Sequence, residues 1–275
     1  MIDTLVLGAR DPEMMAIGRL ALTQRLHIIW ASKEGQPVTY NQMYQADYPE
    51  PAPNQLWVEC SPPEGKAGLD FVDHHNPGDP GFEKPPGEFW EASSIGQVWA
   101  RLCPHQSPPD HLRVLAAMDH CPHAAYSGEC KGIDPGSVVA ASADEIAATT
   151  RSTISDVLRD VYRWIHTFRN AETQRIEGTD FYLHPEPLRS DHLWLIFREA
   201  ALWHGIGVGA RMKIGQEDWV KVAGHTTADF IRAFMAGKVV EGPLERVYGD
   251  THRGYAGAML VKPLGTGDLL LQIQE

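Results

Sequence analysis

Over its first hundred residues the chain alternates short apolar runs with a stretch of helical periodicity: Thr4 to Leu7, a helix-like Glu13 to Gln24, then Leu26 to Ala31, Leu56 to Cys60 and Leu69 to Val72. This alternation predicts α/β layering around a mostly parallel sheet with helices on both faces. In open sheets of that kind ligands bind beyond the carboxyl ends of the strands. Arg10-Asp11-Pro12-Glu13, Glu59 and Asp73-His74-His75 all fall at such ends, so three strand tips with acidic or histidine side chains form one candidate site.

The triplet Asp73-His74-His75 closes an apolar run and turns at once into Asn76-Pro77-Gly78. It reads as a strand that delivers three metal-binding side chains at its tip. A further apolar run, Arg113 to Met118, stops at Asp119-His120-Cys121-Pro122-His123 and adds a fourth acidic strand or helix end. Composition narrows the class of ligand. The formal net charge is −12, which argues against a surface for long nucleic acid, because phosphate neutralisation needs clustered Lys and Arg. A small anion stays open if a metal supplies positive charge locally. The 4 cysteines show no CxxC spacing, so neither a zinc ribbon nor a disulfide framework is indicated, and buried thiols are expected. No apolar run approaches the ~20 residues of a membrane span. With Met-Ile-Asp-Thr leading straight into a strand and no basic leader, a cytoplasmic protein is expected.

Farther along, Ser93-Ser94-Ile95-Gly96 is placed to open a helix that ends near Leu102. Val157, Leu158, Val161, Trp164, Ile165 and Phe168 recur at helical spacing, predicting an amphipathic helix over Ser152 to Arg169. The polar segment Asn170 to Thr179 then breaks the pattern. The division that follows is an α/β domain at 1–150, a connecting helix and linker at 151–175, and a smaller α+β domain at 176–275 with an antiparallel or mixed sheet. In that last part helices are expected at Asp191 to Trp203 and Thr227 to Met235. Strands are expected at Gly207 to Ile214, Trp219 to Ala223, Met259 to Lys262 and Asp268 to Ile273. Gly205-Ile206-Gly207-Val208-Gly209 lacks the strand-then-helix setting of a dinucleotide site.

The order of these motifs resembles the DHH phosphoesterase superfamily, which includes inorganic pyrophosphatases, exonucleases, oligoribonucleotide phosphatases and cyclic-dinucleotide phosphodiesterases. The resemblance covers most of residues 1 to 150. The family's first motif, His-x-x-Pro-Asp-x-Asp-Ala-Ile, is echoed by Ala9-Arg10-Asp11-Pro12-Glu13-Met14-Met15-Ala16-Ile17, in which Ala9 stands for the ligand His, Glu13 for the first Asp and Met15 for the second. Glu59 matches the second motif, Asp73-His74-His75 is the third intact, and Asp119 matches the fourth. In the last third, His252-Arg253-Gly254-Tyr255-Ala256-Gly257-Ala258 resembles the glycine-rich motif that lines the substrate pocket.

The resemblance implies two domains around a cleft and a hydrolytic centre of divalent ions, usually Mn²⁺, with Mg²⁺, Fe²⁺ or Zn²⁺ as alternatives. Asp73 and Asp119 would bridge or flank the metals, and Glu59, Glu13 and His74 would complete the shells. His75 would face the leaving group as acid or hydrogen-bond donor, with Asp73 beside it. Asp11 would serve as an oxygen ligand in place of the missing His, and His120 and His123 would be extra ligands. His252, Arg253, Gly254 and Gly257 would hold substrate. The expected activity is hydrolysis of a small phosphorylated or nucleotide substrate in the interdomain cleft, by a chain that is a monomer or a homo-oligomer. The alternative is an inactive relative that binds a nucleotide or phosphometabolite or acts as an interaction protein. A third reading makes His120, Cys121 and His123 a new metal centre.

Overall fold

The structure, a computed structural model, describes residues 2–38, 42–47, 51–62, 65–214, 217–239, 244–250 and 254–260. The fold is mixed α/β, and the chain packs into two compact units. The first comprises residues 1–121 with 129–133, and the second 122–128 with 134–275. Among the described residues no helix is long and apolar enough to cross a membrane.

The first unit is built on a four-stranded sheet in the order β2 (His27–Trp30), β1 (Thr4–Leu7), β5 (Gln55–Val58), β6 (Asp70–Val72), every pair parallel. The central strands β1 and β5 are buried along their whole length, which is why they read as continuous apolar runs rather than alternating ones. Two short strands, β3 (Ser32–Lys33) and β4 (Gln36–Pro37), form a separate hairpin. One face of the sheet, with Val6, Trp57, Ile29 and Phe71, packs against Val38, Met43, Tyr44 and Ala46 from the connection between β4 and β5. Helix α1 (Pro12–Thr23) lies against the sheet, with Gly18 close to Leu7 and Trp30. Asp11 caps it by accepting the N–H of Met14 at 2.6 Å, and Pro12 occupies the first turn. A single-turn α2 (Phe89–Ala92) leads to α3 (Ser94–Leu102), capped by Ser93 through the Gly96 N–H, and then to α4 (Asp110–His120). The run Arg113 to Met118 is therefore helical, and Asp119 stands in the last turn of α4.

The second unit has a six-stranded mixed sheet in the order β11 (Leu244–Asp250), β12 (Tyr255–Leu260), β10 (Glu217–Gly224), β9 (Gly207–Ile214), β8 (Thr179–Leu183), β7 (Gln174–Ile176). Only β8 and β9 run parallel; the other pairs are antiparallel. After a short α5 (Pro122–Ser127), helices α6 (Pro135–Thr150), α7 (Ile154–Asn170) and α8 (Asp191–His204) share one core with Val208, Ala210 and Met212 of β9. On α7 the buried positions are Val157, Val161, Ile165 and Phe168, spaced by four, four and three, so one stripe faces the core shared with α6 and α8. The opposite core joins Phe181, Val220 and Val222 to Phe230, Ile231 and Phe234 of α9 (Ala228–Met235). Each of those large side chains, fully buried, stabilises by roughly 1.5–3 kcal/mol.

Packing divides the chain near residues 121–134, upstream of residue 150. Ala143, Ile146 and Ala147 of α6 join the second core, together with α7, which the sequence had suggested as a connector. Within the polar stretch Asn170 to Thr179, Gln174–Ile176 forms β7, which pairs with β8 through a turn at Glu177 and Gly178, both at positive φ. Gly207 and Gly209, singled out in the glycine-rich run, lie so close to Thr179 and Phe181 that a Cβ at either would approach within 2.6 and 2.5 Å of those side chains. A packing need thus accounts for both. The strand expected at Met259 to Lys262 is the end of β12, which is described to Leu260, and the one at Asp268 to Ile273 lies outside the described residues.

Candidate metal centre

Three parallel strands end side by side, and their tips set the site. Gly8, after β1, donates its N–H to Val58, and Glu59, after β5, donates its own to Val72 at 3.0 Å. A Cβ at residue 8 would come within 2.6 Å of the Glu59 carbonyl oxygen, so the close approach of these two tips requires glycine there. Glu59 itself sits at φ +50°, in the left-handed region that disfavours a side chain. Strain of this kind tends to be retained where it orients a functional group.

Four side chains from separate elements converge. Glu13 from the first turn of α1, Glu59 after β5, His74 after β6 and Asp119 from the last turn of α4 offer ligand atoms that all lie within 4.8 Å of one another. His75 joins Glu59 and His74 in an overlapping set. His74 Nε2 is 3.2 Å from Glu59 Oε1 and 2.9 Å from Asp119 Oδ2. Neither oxygen meets the geometry of a hydrogen bond to Nε2, which is buried, as is Glu13 Oε2. Glu13 Oε1 accepts the N–H of Ile95 at 3.0 Å, which fixes the carboxylate in place.

The far edge of His74 fixes its tautomer. His120 Nε2 lies 2.9 Å from the Lys84 carbonyl oxygen, which can only accept, so that nitrogen carries hydrogen. A neutral His120 then presents its Nδ1 lone pair to His74 Nδ1 at 3.0 Å, and His74 must donate. The proton positions follow from the network. With Nδ1–H committed, a neutral His74 turns a lone pair at Nε2 toward two carboxylate oxygens, an arrangement that a cation among them would satisfy. Without a cation the alternative is an imidazolium. Burial opposes it, but Asp119 and Glu59 prevail and hold His74 well above its ordinary value. Burial, reinforced by Asp119 and Glu59, likewise pushes Glu13 well above the usual carboxylate range. Burial also acts to raise Glu59, yet His75 and His74 keep it below that range. A carboxylate in the last turn of a helix is disfavoured by the dipole, by about 0.3–1 kcal/mol. The contact with His74 offsets this for Asp119.

Asp73 is placed differently. Its Oδ1 accepts the backbone N–H groups of His74 and His75 at 2.8 and 3.1 Å and bonds His75 Nδ1 at 2.9 Å. Its Oδ2 accepts from the Tyr44 hydroxyl at 2.9 Å and from Lys66 Nζ at 2.8 Å. Burial works against ionisation, but His75 and Lys66 hold Asp73 below the ordinary range. It orients His75 rather than joining the four-residue set, in contrast to the bridging role implied by the resemblance. Asp11 is the N-cap of α1 and contributes no atom to either set. His120 stands behind His74 instead of beside it, and His123 belongs to the second unit, where it stacks on His225 with ring centroids 5.3 Å apart. No set that could hold a metal among the described residues includes Cys121, His120 or His123. Ala9 packs in the apolar layer with Val6 and Trp57, and Met15 is exposed.

Of the residues expected to hold substrate, His252 and Arg253 lie outside the described residues. Gly254, at φ +64°, lies against the ring of His123 and accepts a 3.0 Å hydrogen bond from Thr226, while Gly257 faces Tyr248. Tyr44, Lys66 and the His120 relay were not foreseen. Nothing local marks the first two, since Tyr44 and Lys66 reach Asp73 from 29 and 7 residues away. These three carboxylates and one imidazole could hold a metal ion. Compared with known proteins, the chain matches no family model and no curated protein sequence.

Proposed function

We propose that this protein is a divalent-metal-dependent phosphoesterase, a divergent relative of the DHH phosphoesterases, acting on a small phosphorylated or nucleotide substrate. The observation that carries the reading is His74. Its tautomer is set from behind by His120 and Lys84, and its Nε2 faces Glu59 and Asp119 without an aligned partner. Glu13, Glu59, His74 and Asp119 would hold the ion. When bound, a divalent cation supplies charge that stabilises a phosphoryl oxygen and lowers the pKa of an attacking water.

The chain's own residues supply the remainder. His75 is held through Nδ1 by Asp73 at 2.9 Å, so proton exchange with a leaving oxygen or a water runs through Nε2. Asp73, anchored by Tyr44 and Lys66, keeps that ring from rotating and stabilises it when it is charged. Glu13 and His74, both raised in the absence of a cation, would hold the ion in their deprotonated forms, so binding would strengthen as pH rises. A net charge of −12 suits a substrate small enough to be drawn in by the local positive charge, and a cytoplasmic setting is part of this reading.

Ala9, buried in the apolar layer where the resemblance calls for a ligand His, favours a second reading: a protein that binds a phosphometabolite without hydrolysing it. Metal content and turnover separate the two. Wild type, Glu59→Gln and Asp119→Asn, loaded with Mn²⁺, are assayed against bis(p-nitrophenyl) phosphate, pyrophosphate, short oligonucleotides and cyclic dinucleotides. Turnover that disappears with the metal in both variants is expected. Metal without turnover on any substrate, or absence of metal, would remove the phosphoesterase reading and leave the binding one.

A further inference from the structure

Beside the centre, two buried carboxylates share one ammonium from within the chain. Lys66 Nζ lies 2.8 Å from Asp73 Oδ2 and 2.5 Å from Asp79 Oδ1. The same ammonium sits over the faces of Tyr44 and Phe71, 4.8 and 5.2 Å from their ring centroids. The Tyr44 hydroxyl donates to Asp73 Oδ2, and Asp79 Oδ2 accepts the Asn76 N–H at 2.7 Å. Two carboxylates this buried, one of them bonded to a phenol hydroxyl, with two ring faces beside them, make an environment that demands a cation. Lys66 fills it.

The ligand sets point the same way. Both groups of metal-binding atoms found among the described residues share Glu59 and His74, so they outline one locus rather than two. Asp73, to which the resemblance gives a bridging role, has both oxygens engaged by five donors.

We propose that the centre takes one divalent ion per chain and that the Lys66 ammonium, clamped by Asp73 and Asp79, stands in the position of a second cation. The inference rests on the reading of Glu13, Glu59, His74 and Asp119 as a metal centre. Its chemical consequence is that the second positive charge is always present and is not lost to a chelator, while Asp73 stays fixed on His75 whether or not metal is bound.

The test is a count. The full chain is equilibrated with Mn²⁺, freed of excess ion and examined by elemental analysis and electron paramagnetic resonance. One Mn²⁺ per chain with the spectrum of an isolated ion is expected, lost in Glu59→Gln and kept in Asp79→Asn. Lys66→Met, with both carboxylates left uncompensated, is expected to bind two. Two ions in wild type with a spin-coupled spectrum would overturn the proposal while leaving the metal centre intact. So would a single ion lost in Asp79→Asn and kept in Glu59→Gln, or a folded Lys66→Met that still binds one. No ion in wild type would instead remove the metal centre itself, and this inference with it. If Lys66→Met fails to fold, the wild-type count and spectrum decide.

Discussion

Two buried histidines in this molecule have been driven in opposite directions. His74 in the first unit is held well above its ordinary value, because burial is outweighed by Asp119 and Glu59. His123 in the second unit is pulled down to about 4 by burial, with His225 adding to it. Desolvation acts the same way on both rings. The sign of the outcome belongs to the neighbours: carboxylates around one, a stacked imidazole and the backbone of Gly254 around the other. A buried histidine in a sequence therefore says little until its charged surroundings are known.

The contrast breaks most visibly at the metal. His74→Ala should abolish Mn²⁺ binding and with it any hydrolysis, whereas His123→Ala should leave the stoichiometry unchanged; dialysis followed by elemental analysis reads both. Equal losses would mean that the two rings had been assigned the wrong roles.

The second unit offers the next largest effect. Glu199, which accepts from the Tyr126 hydroxyl, is raised to about 8 by burial. An acid whose folded value is raised favours the folded state below its unfolded value near 4.5 and loses that advantage as pH rises toward 8. The limit is on the order of 5 kcal/mol at about 1.4 kcal/mol per pH unit. Glu199→Gln should flatten the fall of Tm between pH 5 and 8, and an unchanged slope would show that the carboxyl is not buried in solution. His123 runs the other way. Its folded value is depressed, so its contribution is present above about 6.5 and is lost as pH falls toward 4, by about 3 kcal/mol at most. His123→Phe should remove that acid-side loss in denaturant titrations between pH 6.5 and 4.5.

The smallest effect sharpens the account of His74. Removing the acceptor behind its Nδ1, in His120→Phe, should weaken Mn²⁺ binding by about 10–100-fold without changing the number of ions. An unaltered affinity in isothermal titration would mean that the relay to Lys84 does not set the tautomer.

The sequence made the first unit's frame visible because its central strands β1 and β5 are buried along their length and read as unbroken apolar runs, and because Pro12 and Ser93 stand at helix starts. Glu13, Glu59, His74 and Asp119 were within reach for the same reason, since each sits at the edge of such a run. Helix α6 was not foreseen. Its buried positions are Val138, Ser142, Ala143, Ile146 and Ala147, mostly small, so its apolar stripe hardly differs from its exposed Ala and Ser, although Asp134 and Pro135 do announce its start. Nor could residues 120 and 123 be separated. Three positions apart, they belong to different units, because α4 ends at His120 and Pro122 begins a helix that packs elsewhere. The grip of Lys66 on Asp73 and Asp79 arises only when the chain turns back at the end of β6, which no short window records.

Glu59 carries a consequence for anyone who engineers this chain. Its left-handed backbone would be relieved by glycine by about 1 kcal/mol, and its buried carboxylate is a further burden on the fold. A library selected only for heat tolerance in the absence of metal should therefore discard the acid at position 59 early. The survivors would be hardier proteins without the carboxylate, and selection for ion retention would be needed to keep it.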